Sequence, residues 1–310
     1  LNKGNAIAGV IDLEDGNKDA TITDDAEVVV TPGADADATA TLNYTPAQDG
    51  TSVLSISDGS GATESGESKG KVLVSTANGS TVASCDINTP SLTVELSAAE
   101  NGTATYNEVT ALTANQTLII GEGVTIEELV LNGGALKVAD DATNVTIGNI
   151  VVKDAASFIE ALKVAENITL SDDVDEIDLK VTTGSLTIAS GKEVAIDLNG
   201  KTLTTSSSAN TPVTDDITVE GKLSVSNGTI STANALFYVK GGDLSLSNCS
   251  ISVSSEYTPV YAEGGTVTAE KVTANVQRTA FNGKGTTMKL TDCEAVSANG
   301  AYNVVAVSES

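Results

Sequence analysis

The chain has no histidine, so the groups that could do chemistry are 42 carboxylates, 15 lysines, three cysteines and one arginine, Arg278. Without imidazole, Ser-His-Asp and Cys-His nucleophilic catalysis, His-ligated metals and the usual proton shuttle drop out. Hydrolysis of a glycosidic bond needs two facing carboxylates. The best pair is Asp215-Asp216 in TPVTDDITVEG. Adjacent residues on a strand point to opposite faces, so only one of the two could meet a substrate, and no second acid stands out.

Metal chemistry fares no better. Asp12, Glu14, Asp15, Gly16, Asn17 and Asp19 cluster oxygen ligands of the kind calcium prefers. Their spacing misses the EF-hand pattern and no Glu closes the loop, so the run reads as a solvated acidic turn. Asp35 and Asp37 read the same way. Cys85, Cys249 and Cys293 contain no CxxC and are too few for a disulfide framework. The Gly-rich run GSGATESGESKG precedes the strand KVLVST, whereas a phosphate-binding loop must lead into a helix. No catalytic residue, metal ligand or cofactor site is therefore predicted.

Binding remains. Sugar contact without catalysis uses exposed aromatics and amides. Tyr238, Tyr257, Tyr261 and Tyr302 are the candidate ligand-binding residues, since they fall in the least repetitive parts of the C-terminal sequence. Phe237 and Phe281 lie where inward residues are expected and read as core. A formal charge of −26 disfavours nucleic acid and anionic membranes as partners. Residues 1–150 hold 22 of the acids and only 5 of the bases. No apolar run is long enough to span a membrane.

The elements that must position these residues are legible from Lys222 onward. Four units follow one another, with Leu223, Leu244, Val267 and Met288 in one column at spacings of 21, 23 and 21. Val225, Leu246, Ala269 and Leu290 make a second column, and Ile230, Ile251, Ala274 and Ala295 another. A period in the low twenties, with short alternating runs, predicts a solenoid of β-rungs. Within each unit the alternation slips by one residue at Asn227, Asn248, Lys271 or Asp292. A strand cannot change face without turning, so these positions are corners. Asn there tolerates a left-handed backbone. Cys249 and Cys293 follow the corner in equivalent places, with Val272 between them, and are expected to be buried thiols.

Upstream, DAASFIEALKVAE at 154–166 has a helical apolar face of Phe158, Ile159, Leu162 and Ala165, with Asp154 as N-cap. It is expected to cap the solenoid that follows, because the open end of such a stack exposes inward side chains. This places a boundary near residue 150. The predicted organisation is an acidic all-β module over 1–150, either irregular rungs or a β-sandwich, then a helix plus solenoid over 151–310.

Bent rungs with inward residues on both arms and Asn at the bend resemble the right-handed parallel β-helix of pectate-lyase-like proteins. The string EVAIDLNGKTLT resembles rungs of surface-exposed and secreted β-helix proteins of gut bacteria, often labelled adhesins. The resemblance implies an all-β, right-handed parallel β-helix. It also implies a non-enzymatic extracellular or cell-surface protein, adhesin-like, contacting glycan or a host surface. Two alternatives stand beside it: a polysaccharide-degrading β-helix enzyme and a purely structural stalk. A lyase of the pectate-lyase kind would place calcium-binding acids beside Arg278 or a lysine such as Lys271, Lys284 or Lys289. The scattered bases read more readily as solvated surface.

Overall fold

Small polar residues alternating with Val, Ile and Leu decide local structure along most of the chain, because that pattern fits a half-buried strand. The computed structural model describes residues 8–14, 16–33, 35–58, 69–111, 113, 116–179, 186–205, 217–233, 236–298 and 304–309. They form a parallel β-solenoid of about 12 turns, 60% strand and 4% helix. The right-handed winding expected from the sequence is consistent with these ladders. The chain divides into two units, 1–152 with 156–165, and 153–155 with 166–310.

In the first unit successive strands alternate between two sheets. One sheet takes Ala8–Asp12, Ala26–Thr31, Val53–Ser57, Ser80–Asn88, Ala104–Ala111, Val124–Leu131 and Thr146–Val152. The other takes the intervening Lys18–Thr23, Thr39–Thr45, Lys71–Thr76, Thr93–Ala98, Thr117–Ile120 and Ala135–Val138. The pairings are parallel. This settles the two readings of 1–150 in favour of the solenoid, since a sandwich is built from antiparallel strands. Leu54, Cys85, Val109, Leu129 and Ile150 stack in one fully buried column. Two buried tyrosines fill wider layers and satisfy their hydroxyls inside. Tyr44 Oη donates to the Asp24 carbonyl at 2.9 Å, and Tyr106 Oη shares a 2.5 Å hydrogen bond with Thr76 Oγ1.

The helix forms over Ala155–Val164 and buries Ser157, Phe158, Ala161 and Leu162, while Ile159 is half-exposed. It groups with the first unit and not with the solenoid that follows it in sequence. In chain order it comes after Thr146–Val152, where a further strand of the second sheet would stand. Glu160 Oε2 accepts the backbone N–H of Leu136, on the last strand of that sheet, at 3.5 Å. One backbone donor of that strand thus finds its acceptor on the helix.

The second unit uses three strands per turn. The first turn is Asn167–Leu170, Glu176–Asp178 and Leu186–Ile188, and the second is Glu193–Asp197, Thr202–Thr205 and Ile217–Val219. In the next two turns the first two arms run together, as Lys222–Thr232 then Phe237–Lys240, and Asp243–Val253 then Val260–Glu263. Thr266–Glu270, Thr273–Val276 and Phe281–Lys284 make the fifth turn; Thr287–Thr291, Glu294–Ser297 and Val305–Ser308 make the sixth. The columns read from the sequence are in register. They also extend upstream, Val194 beneath Leu223, Ile196 beneath Val225, and Leu203 beneath Ile230.

The corners are left-handed. Asn199, Asn227, Asn248, Lys271 and Asp292 have φ of 51°, 61°, 50°, 54° and 51°. The asparagines also bond up the stack. Asn199 Nδ2 donates to the Leu170 carbonyl and to Asp172, Asn227 Nδ2 to Asp197, and Asn248 Nδ2 to Asn227 Oδ1 at 3.4 Å. The residue after the corner points inward. Cys249 is buried, its thiol donating to the Val225 and Ser247 carbonyls, and Val272 is buried in the same slot one turn on. Cys293 makes the equivalent bonds to Ala269 and Thr291 but is half-exposed, contrary to the expected burial. Met288 and Leu290 share that exposure. All three belong to the last described turn, which has a stacking neighbour on one side only among the described residues.

Candidate functional site

The third sheet of the second unit decides what the aromatic residues can do. Its strands are only three or four residues long, so each offers two inward and at most two outward side chains. Phe237, Val260 and Phe281 lie in register and are buried, which confirms the two phenylalanines as core. The next residue of each strand points outward. That column runs Thr218, Tyr238, Tyr261, Asn282, Ala306. Two residues further along each strand from Phe237, Val239, Ala262 and Gly283 face inward, and then Lys240, Glu263 and Lys284 face outward in register.

Register therefore brings Tyr238 over Tyr261. Their ring centroids lie 5.7 Å apart with 23° between planes, an offset stack in the favourable range. Both rings are half-exposed. Tyr238 Oη donates to Glu263 Oε2 at 2.6 Å, and Tyr261 Oη donates to Glu263 Oε1 at 3.0 Å. One exposed carboxylate thus fixes both phenols. Those two hydrogen bonds, Tyr238 first, hold the Glu263 carboxyl below the usual range, and the Lys284 ammonium adds to it. Lys240 Nζ in turn meets Glu220 Oε1 at 3.0 Å. Along this edge the charges alternate: Glu220, Lys240, Glu263, Lys284.

Of the other sequence candidates, Lys284 borders this cluster through Glu263. Tyr257 sits in the turn between Asp243–Val253 and Val260–Glu263, half-exposed, its N–H donated to Ser255 Oγ. Tyr302 lies outside the described residues, as do Asp215, Asp216 and Asp15. Arg278 is paired with the Glu256 carboxylate, and Lys271 lies 3.7 Å from Glu270. Asp12 Oδ1 accepts the Glu14 N–H and Asp35 Oδ1 the Asp37 N–H, each closing its own turn. Among the described residues no group of three or more acids and cysteines is placed to hold a metal. Among them, too, no helix is long and apolar enough to cross a membrane.

Glu263 is the member of this cluster that sequence reasoning missed. The available signal was its position two residues after Tyr261, hence on the same face of the same strand. Its bond to Tyr238 spans 25 residues and needs the register. Beside the cluster, and sharing Glu220, a shallow recess of about 410 Å³ opens over the stacked turns at Gly191, Gly221 and Gly242, where Lys222 and Glu193 pair at 3.6 Å. The whole arrangement presents ring edges, phenolic oxygens, a carboxylate, an amide and ammonium groups. Compared with protein-family models, curated proteins and solved structures, the chain matches none.

Proposed function

We propose that this protein is a non-enzymatic, adhesin-like β-helix that works outside a bacterial cell and contacts carbohydrate through the Tyr238–Tyr261 face. The observation that carries the reading is the half-exposed tyrosine stack, clamped by Glu263 on the flat outer face of a sheet. The orientation of the two half-exposed rings is already fixed, so little conformational entropy is lost when a ligand meets them. Extracellular placement and bacterial origin rest on the resemblance of the EVAIDLNGKTLT rung and the Asn corners to secreted and surface β-helices. The lack of histidine removes the nucleophilic triads and leaves paired carboxylates as the enzymatic alternative.

A glycan array probed with the native protein and with the double variant Tyr238→Ala/Tyr261→Ala tests the reading. Expected is retention of one or more glycans by the native protein and their loss from the variant, with no release of reducing or unsaturated ends. Steady turnover of a polysaccharide would replace the adhesin reading with an enzymatic one. Failure to retain any glycan would leave the structural stalk.

A further inference from the structure

We infer that two copies of this chain associate side by side and antiparallel through the corner that joins the third sheet to the first in the second unit, where two ladders of charge are each complementary to themselves reversed. This goes beyond the carbohydrate reading and does not depend on it.

The corner carries a ladder on each side. On the third-sheet side stand Glu220, Lys240, Glu263 and Lys284, one to a turn. On the first-sheet side stand Glu193, Lys222, Asp243 and Thr266, in register over the same four turns. Glu220 is half-exposed and the other charged members are exposed. Between the ladders the chain turns on glycine, at Gly221, Gly241 with Gly242, and Gly264 with Gly265, so no side chain there keeps a second backbone away. The recess of about 410 Å³ is bordered by Glu193, Lys222 and Asp243 from one ladder and by Glu220 from the other, so both ladders face one strip of surface.

A two-fold axis midway along the strip, between the turn that holds Lys240 and the turn that holds Glu263, reverses both ladders. Glu220 then meets Lys284 of the second copy, and Lys240 meets Glu263 of the second copy. On the other side of the corner Lys222 meets Asp243 of the second copy. Each pairing occurs twice, because the interface is isologous. Lys192 and Glu193, at one end of the strip, fall opposite Gly265 and Thr266 of the second copy, so no like charges meet. A parallel arrangement in line would instead set every charge against its own kind, which costs free energy.

The strip also differs from the rest of the surface in net charge. Its acids, Glu193, Glu220, Asp243 and Glu263, are balanced by Lys192, Lys222, Lys240 and Lys284, on a molecule of −26. It is a place where two acidic copies approach without local repulsion, and repulsion beyond about 8 Å is screened at physiological salt. The pairs within one chain, Lys240 with Glu220 at 3.0 Å and Lys222 with Glu193 at 3.6 Å, are exposed to solvent and can be shared across the contact. Four turns about 4.8 Å apart make a strip roughly 15–20 Å long, which is small for a permanent dimer, so the association is reversible. The axis is normal to the plane of the two stacks and keeps both third sheets on one side of it. Each copy thus adds its Tyr238–Tyr261 stack to a common face.

The test is sedimentation equilibrium of the whole chain at about 0.15 M salt, from micromolar to submillimolar concentration. The weight-average mass is expected to rise toward twice that of one chain. Lys222→Asp sets carboxylates against each other at both of these contacts, and Asp243→Lys sets ammonium groups against each other. Each should weaken association at least about tenfold. An equimolar mixture of the two variants restores opposite charges at both contacts and should associate as the native chain does. Thermal melts confirm that the variants fold; where either does not, Lys284→Glu and Glu220→Lys form a second pair with the same logic on the other ladder. A native chain that stays monomeric throughout overturns the inference. So do single variants that associate as well as the native chain, since the contact is then elsewhere, and a mixture that stays monomeric, since the copies are then not paired antiparallel in this register.

Discussion

Gly264 and Gly265 are adjacent, both left-handed, with φ of +77° and +69°. They form the corner between Val260–Glu263 and Thr266–Glu270, so both look equally indispensable from backbone conformation. The space around them says otherwise. A Cβ on Gly264 would come no closer than 3.7 Å to a neighbour, the Cα of Gly241. A Cβ on Gly265 would lie 1.9 Å from the carbonyl oxygen of Gly242 and 2.8 Å from the carbonyl carbon of Gly241. These are backbone atoms of the turn beneath, and they cannot swing away as a side chain would.

Gly264→Ala should therefore cost only the left-handed conformation, about 1–2 kcal/mol, less about 0.4–1 kcal/mol returned by a stiffer unfolded chain. The net is a loss of roughly 0.5–1 kcal/mol. Gly265→Ala carries the same loss and must also push two turns apart, an overpacking cost of about 1–3 kcal/mol. Its total is roughly 2–4 kcal/mol. At about 2–4 °C per kcal/mol for a unit of this size, the melting shifts are roughly 1–4 °C and 4–16 °C. Circular dichroism melts give the shifts. Hydrogen exchange in Val260–Glu263 and Thr266–Glu270 shows whether the loss is centred on this corner, as it should be where each turn touches only its neighbours. Equal shifts for the two variants would refute the stacking of these corners, because φ alone would then account for both.

Two further predictions concern titratable groups. Thiol labelling of the native protein should modify Cys293 first and leave Cys85 and Cys249 slow, since burial pushes both of those thiols up and Cys293 is half-exposed. No Cys249–Cys293 disulfide should form on oxidation, because two turns separate the residues by about 9.6 Å against a bridging limit near 7 Å; a bridged peptide would overturn the register. In alkali, burial raises the phenols of Tyr44 and Tyr106 above their ordinary range. The unfolded chain then loses protons that the folded chain keeps, so this contribution is full below about pH 10 and falls as pH rises beyond it. Tyrosinate absorbance of these two residues should appear only together with loss of the β-sheet signal, and their free titration in the folded protein would contradict the buried placement.

How far the sequence reveals this structure depends on what turns each corner. From Asn227 onward, a side chain that tolerates positive φ marks the bend, and turns of 21 to 23 residues keep the columns visible. Two earlier turns of the same unit, legible as rungs from EVAIDLNGKTLT, fall outside that period because Ile168 pairs with Ile196, 28 residues on, and Val194 with Leu223, 29 residues on. The extra length hides the period while leaving the column intact. In the first unit left-handed residues mark other corners, Asp24, Asn101 and Asn144 with φ of 57°, 57° and 55°, and not the bends inside the long strands. Asn107 and Glu108 both face outward, as do Glu127 and Glu128, and none of them has positive φ. Leu54 pairs with Cys85 and Val109 with Leu129, steps of 31 and 20 residues, so no fixed period exists to be found. The helix was legible by its own periodicity, but its partner was not, because an apolar face does not say which sheet edge it covers.

The candidate site shows the same division between what is local and what is not. Tyr238 and Tyr261 were visible as residues, yet only the pairing of Phe237 with Val260 and Phe281 puts them on the outer face. The strand Asp243–Val253 lies in line with Lys222–Thr232, and Val260–Glu263 lies in line with Phe237–Lys240 although the connection before it is two residues longer. A slip of one residue in either arm would send Tyr261 into the core and Val260 into solvent. It would also remove Glu263 from Tyr238, because period two would turn the carboxylate inward with it. The geometry of the tyrosine face thus depends on the third sheet's own register, set by the buried pairing of Phe237, Val260 and Phe281.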